Sequence, residues 1–204
     1  KAAVASAAKV IGLHLCADMG HTIALREGGM RALVLVCANC DGDDDDGAFW
    51  HAARALIQTA RGDVDRDEAV RCGTVDAIVA ACDRTKDMAV WADACDALSN
   101  LAMGSGVAAL GLAQHKRALS FLVERCESFR SGEFTEGATV PAVLVLRRSC
   151  STLRHMASSA TASILELLVS ANVLEALLHV LRNCKRRAQA ACGIEGTDTS
   201  VAGE

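Results

Sequence analysis

The feature that most constrains this chain is that it repeats itself. Gly28-Gly29-Met30-Arg31-Ala32-Leu33-Val34 is matched by Gly73-Thr74-Val75-Asp76-Ala77-Ile78-Val79 at an offset of about 45 residues. At that offset Ala32 falls on Ala77, Leu33 on Ile78 and Cys37 on Cys82. A third copy, Asn172-Val173-Leu174-Glu175-Ala176-Leu177-Leu178, has asparagine where the others have glycine. Both residues accept the left-handed conformation that ends one helix and turns the chain into the next. A second pattern lies downstream of each of the first two copies. Ala94-Cys95-Asp96-Ala97-Leu98-Ser99-Asn100-Leu101-Ala102 aligns with Ala52-Ala53-Arg54-Ala55-Leu56-Ile57-Gln58-Thr59-Ala60 and with Ser149-Cys150-Ser151-Thr152-Leu153-Arg154-His155-Met156-Ala157.

The offsets of this second pattern are unequal, about 42 and about 55 residues, and the junctions account for the difference. Residues 41–47 and 129–139 fall between the same two helices of a unit, where the middle unit has only 83–87. Insertions confined to one junction are what a repeat architecture tolerates. Each unit is therefore read as a short helix, a second helix and a long third helix. Ala94, Leu98 and Leu101 stand at i, i+4 and i+7, which sets them on one buried helix face.

Composition agrees with closely packed helices. Hydrophobic residues make up 51% of the 204 residues and aromatics only 3%, so the apolar content is mainly Ala, Leu, Val and Cys. A β-sandwich would favour aromatic and β-branched residues. The single proline, Pro141, leaves room for long helices. A net charge of −4 argues against a general nucleic-acid binder, which would show a basic face. The ten cysteines occupy apolar helix positions where alanine also appears, so they are expected to be reduced, in the cytoplasm. Neither a signal peptide nor a membrane span is expected. The nearest approach to the required run of about 18 apolar residues, 162–181, is amphipathic through Glu166, Asn172, Glu175 and His179. The opening Lys1 is what a segment of a longer protein would show.

The unit resembles the armadillo repeat. That family places a glycine before the second helix and ends the third helix in Ala-Leu-x-Asn-Leu-Ala, which Ala97-Leu98-Ser99-Asn100-Leu101-Ala102 matches. The glycine favours armadillo over HEAT repeats, the nearest structural rival. The resemblance implies an all-α fold, a right-handed α-α superhelix with about three full repeats plus partial repeats at both ends. The solenoid would cover 1–184, with 1–19 a leftover third helix, units at 21–61, 63–103 and 104–157, and a partial unit at 158–184. Residues 185–204 would be a helix remnant and a flexible tail, rich in Gly, Thr and Ser from 193 onward.

Armadillo third helices line a concave groove, and the repeat register names the residues that would face it. Asp93, Asp96 and Asn100 lie opposite the buried stripe, aligned with His51, Arg54 and Gln58 and with Arg148, Ser151 and His155. All are polar, and they form the candidate partner-binding set. An ordinary solvated helix face is the bland alternative. In the family, the asparagine matching Asn100 grips the backbone of an extended peptide, as an amide both donates and accepts. On this reading, replacing Asn100 and Gln58 by alanine abolishes binding without altering stability. Family members that read nuclear-import signals add a tryptophan one turn earlier, where this chain has Arg54, Asp96 and Ser151.

Other chemistry is not expected. Counted from Asp41, the acidic run lacks the glycine and glutamate that a calcium loop requires, with Asp46 and Ala52 at those places. Cys37 and Cys40 have one metal-type spacing but no second ligand pair. Gly104-Ser105-Gly106 lacks a phosphate-loop ending, and no nucleophile elbow surrounds a serine. Arg182, Lys185, Arg186 and Arg187 read as charges near a helix end, with an import signal or an acidic partner as alternatives. Trp50 and Trp91 begin adjacent third helices, as core anchors or as contacts at the groove rim. The expectation is a non-catalytic protein-interaction scaffold binding a peptide or helix, without cofactor, metal, nucleic acid or small-molecule substrate. The alternative is a structural subunit of a large cytoskeletal or ciliary assembly.

Overall fold

The computed structural model describes residues 28–39, 48–61, 66–103, 105–128, 140–159 and 161–191, together with Ala7. These residues are helical, with short turns and no strand among them. In chain order the helices are α1 (Gly29–Asn39), α2 (Ala48–Arg61), α3 (Arg66–Arg71), α4 (Thr74–Asp83), α5 (Met88–Ala102), α6 (Gly106–Gln114), α7 (Lys116–Ser128), α8 (Val140–Ser158), α9 (Ala162–Ser170) and α10 (Val173–Ala191). The all-α expectation therefore holds. Residues 1–19 apart from Ala7, the junctions 41–47 and 129–139, and the segment 193–204 lie outside the described residues.

Local signals explain the helix boundaries. Gly28, Gly73 and Asn172 have φ of 78°, 91° and 56°, and each directly precedes a helix, α1, α4 and α10 respectively. These are the positions at which the repeat calls for a left-handed residue. Asp87 caps α5 by accepting the Ala89 amide at 2.8 Å, and Ser105 caps α6 by accepting the Ala108 amide at 3.2 Å. Pro141 sits in the first turn of α8, where its missing N–H costs no helical hydrogen bond.

The third unit starts its middle helix differently. His115 precedes α7 with φ −78° and ψ 89°, outside the left-handed region. Its Nδ1 accepts the Ala118 amide at 3.1 Å, so the imidazole caps the helix. The proton then sits on Nε2, 2.8 Å from Asp76 Oδ1 on α4. A side-chain cap thus replaces the glycine, which is why this unit lacks the recurrent glycine motif.

Packing repeats from unit to unit. α1, α4, α7 and α10 touch in succession, as do α3, α6 and α9, and so do α2, α5 and α8. Lengths follow the expected short, intermediate and long order: 6, 10 and 15 residues for α3, α4 and α5. One core runs through the described residues, and Leu33, Leu56, Ile78, Leu98, Leu122 and Leu153 are fully buried in it. Each such side chain contributes about 1.5–3 kcal/mol of burial free energy. Ala94, Leu98 and Leu101 are all 0% exposed, as their spacing requires.

The α5–α8 contact is the most extensive between any two of these helices. Small side chains allow it: α5 presents Cys95 and Ser99, and α8 presents Ser149 and Thr152, all buried. Thr152 Oγ1 donates to the Cys95 carbonyl at 3.1 Å, and the Ser149 hydroxyl lies 3.3 Å from Cys95 Sγ.

Past residue 184, α10 continues unbroken to Ala191. The apolar stretch 162–181 is two helices, with a 65° bend between Ala162–Ser170 and Val173–Arg186. Among the described residues no single helix is long and apolar enough to cross a membrane.

Candidate partner-binding surface

Helices α2, α5 and α8 lie side by side and bring the nine polar residues onto one surface. His51 and Arg54 on α2 are exposed, and Gln58 is half-buried. Asp93, Asp96 and Asn100 on α5, and Arg148, Ser151 and His155 on α8, are all half-buried. None points into the core, as the helical register requires.

The centre of this surface is a charge network. Asp93 and Asp96, one turn apart on α5, lie between Arg61 of α2 and Arg148 of α8. Arg61 reaches Asp93 at 3.0 Å and Asp96 at 2.8 Å, while Arg148 reaches them at 3.4 Å and 3.6 Å. Arg61 also donates to Gln58 Oε1 at 3.4 Å. Two guanidiniums balance two carboxylates, so the middle of the face is close to neutral. Arg61 was missed from the sequence. It follows Gln58 by one turn, and helical spacing alone could have added it.

Asn100 is held on both sides of its amide. Nδ2 donates to the Ala60 carbonyl of α2 at 2.6 Å, and Oδ1 accepts from Arg66 Nη2 at 3.4 Å. Arg66 Nε also donates to the Asn100 backbone carbonyl at 2.7 Å. Arg66 is on α3, and nothing in its sequence context signalled this role. The asparagine expected to grip a peptide thus joins one unit to the previous one.

On α8, His155 Nε2 lies 2.9 Å from an Arg154 Nη2, which can only donate. In the neutral ring Nδ1 therefore carries the proton and faces the Ser99 carbonyl at 3.2 Å. Ser99 Oγ in turn donates to Ser151 Oγ at 3.4 Å. His51 and Arg54 make no hydrogen bond or ion pair among the described residues. Beside the network, Arg147, Cys150, Ser151 and Arg154 wall an open pocket of about 450 Å³.

The tryptophans part company. Trp91 is an anchor: its indole N–H is within 3.0 Å of the Cys82 carbonyl and 3.1 Å of Thr85, and Arg125 stacks 4.3 Å from the ring centroid. Trp50 is 38% exposed and meets Phe49 edge-on, so it is no core anchor. Cys37 is buried, while Cys40 lies outside the described residues. Arg182, Lys185 and Arg186 are exposed on α10, well before its end at Ala191, so the helix pole does not account for them. No protein-family model, no curated protein and no solved structure matches the chain.

Proposed function

We propose that this chain is an armadillo-type superhelical scaffold, without catalytic activity, that takes a peptide or helix of a partner protein across the face of α2, α5 and α8. The observation that carries this reading is the join at the middle of that face, where Asp93 and Asp96 link Arg61 of α2 to Arg148 of α8. Equivalent polar positions of successive units become one continuous hydrophilic strip rather than separate surfaces. The regular succession of helix neighbours and the left-handed residues before α1, α4 and α10 support the armadillo assignment. The contact groups are the exposed ones, His51 and Arg54 at one side and Arg147 and Arg154 at the other. A partner segment with acidic residues spaced to meet both sides suits this arrangement. The free cysteines of the described residues suit a reducing, cytoplasmic setting.

Affinity capture with mass spectrometry, run on wild type and on His51→Glu/Arg54→Glu, tests the reading. Loss of a stoichiometric partner, with an unchanged melting temperature, is expected.

One observation favours a second reading, a structural subunit of a large assembly. Leu165, Val169, Leu174 and Leu181 on α9 and α10 are 48–68% exposed, apolar side chains that a permanent contact would cover. Leu165→Glu/Val169→Glu discriminates. If it strips the partners while His51→Glu/Arg54→Glu keeps them, the polar face is not the binding site.

A further inference from the structure

Cys126 on α7 and Cys150 on α8 set their sulfurs 3.8 Å apart. Cys126 is fully buried, whereas Cys150 is half-buried and forms part of the wall of the open pocket. Arg147, Cys150, Ser151 and Arg154 lie at i, i+3, i+4 and i+7 on α8, so one helix face sets guanidiniums above and below the thiol. Arg147 is exposed and carries no hydrogen bond or ion pair among the described residues. Arg148, also on the wall, is held by Asp93 and Asp96. A solvent-accessible thiol, a second thiol behind it and a cationic approach therefore coincide. Of the other described cysteines, Cys37, Cys82 and Cys95 are buried, and Cys72 bonds to the Ala69 carbonyl and the Thr74 hydroxyl.

We infer that Cys150 is a thiol–disulfide exchange site for small disulfides bearing carboxylates, glutathione disulfide among them, with Cys126 as the resolving thiol. Cys150 gives its proton to solvent and its thiolate attacks one sulfur of the small disulfide. The Cys150–sulfur bond forms, the incoming S–S bond breaks, and the released thiolate takes up a proton. Cys126 then loses its proton and attacks Cys150 Sγ. The Cys126–Cys150 bond forms and the second small thiol leaves, taking up a proton. The protein dithiol is oxidised to a disulfide, and the small disulfide is reduced to its two thiols. The order follows from access, since only Cys150 faces the pocket. It also follows from the hydrogen bond between the two sulfurs, which holds Cys150 below the ordinary thiol range and pushes Cys126 up.

The test is exposure of the reduced full chain to glutathione disulfide, followed by intact mass and peptide mapping over time. A glutathione adduct on Cys150 is expected first, then its replacement by a Cys126–Cys150 link. In Cys126→Ser the Cys150 adduct forms and persists. In Arg147→Gln/Arg154→Gln the rate with glutathione disulfide falls roughly fivefold relative to cystamine, a cationic disulfide, as expected for two exposed charge contacts. An adduct confined to other cysteines, or one that never converts to the link in wild type, overturns the exchange site. An unchanged rate ratio overturns the preference for carboxylates. If Cys126→Ser unfolds, the sequence of adduct and link in wild type still decides.

Discussion

Asn100 of α5 donates from Nδ2 to the carbonyl of Ala60, in the last turn of α2, at 2.6 Å. The last carbonyls of a helix lack partners within it, so this amide satisfies a group that α2 cannot satisfy itself. The binding and structural roles of Asn100 therefore compete, and binding cannot be removed at this residue with stability untouched. Asn100→Ala is expected to lower stability by about 1–2 kcal/mol, because it strips a partner from the carbonyl of the buried Ala60. Urea denaturation of the variant measures this. An unaltered midpoint would mean that the amide is free to serve a partner.

Gly73 holds φ of 91° at the entrance to α4, and Asn172 holds φ of 56° at the entrance to α10. Gly73→Ala places an L side chain in the left-handed region, at a cost of about 1–2 kcal/mol. The added Cβ would also lie 3.4 Å from Val34 Cγ1. Asn172→Gly is expected to be nearly neutral, because glycine takes this conformation freely. A thermal-melting comparison in which both variants behave alike would contradict the assignment of these turns.

Gly111, within α6, sets two effects against each other. Alanine is the better helix former, by about 1 kcal/mol. The added Cβ, however, would sit 2.6 Å from Val70 Cγ1, in the last turn of α3 where the two helices touch. Valine is β-branched and stiff, so it cannot swing away. Overpacking costs about 1–3 kcal/mol and should win, so Gly111→Ala destabilises. Gly111→Ala in a Val70→Ala background should recover the helix-propensity gain, which chemical denaturation of the pair would show.

The Arg61–Asp96 contact at 2.8 Å looks strong, but the two side chains are 29% and 38% exposed. Solvent screening limits such a pair to about 0–1 kcal/mol. A double-mutant cycle with Arg61→Ala and Asp96→Ala is expected to give a coupling in that range that shrinks as salt is added. A coupling that is large and insensitive to salt would mean that the network is more sequestered than these exposures indicate.

Cys95 is fully buried at the α5–α8 contact, and burial pushes its thiol from 9.0 up to about 12, against the lowering effect of the Ser149 hydrogen bond. A raised value means that the folded protein holds the proton where the unfolded chain has lost it. The stability contributed is therefore complete below pH 9.0 and is lost as pH rises toward about 12. The stability difference between wild type and Cys95→Ala should narrow across that interval, measured by urea unfolding at successive pH values. A constant difference would place the thiol in contact with water.

Much of the fold was legible because it rests on local physics. Glycine or asparagine before α1, α4 and α10 announced left-handed turns, since few other residues tolerate that backbone. The spacing of Ala94, Leu98 and Leu101 marked a buried stripe, and the same register put Asp93, Asp96 and Asn100 on the opposite, hydrated side. What the polar residues do with one another was decided only when the helices packed. Asn100 meets Ala60 and Arg66, Arg61 and Arg148 share two aspartates, His115 replaces a glycine turn while reaching Asp76, and Cys126 backs Cys150. These partners lie far apart in the chain or on different helices. Periodicity assigns a side chain to a face, but the distance between two faces depends on how closely the intervening small residues let the helices approach.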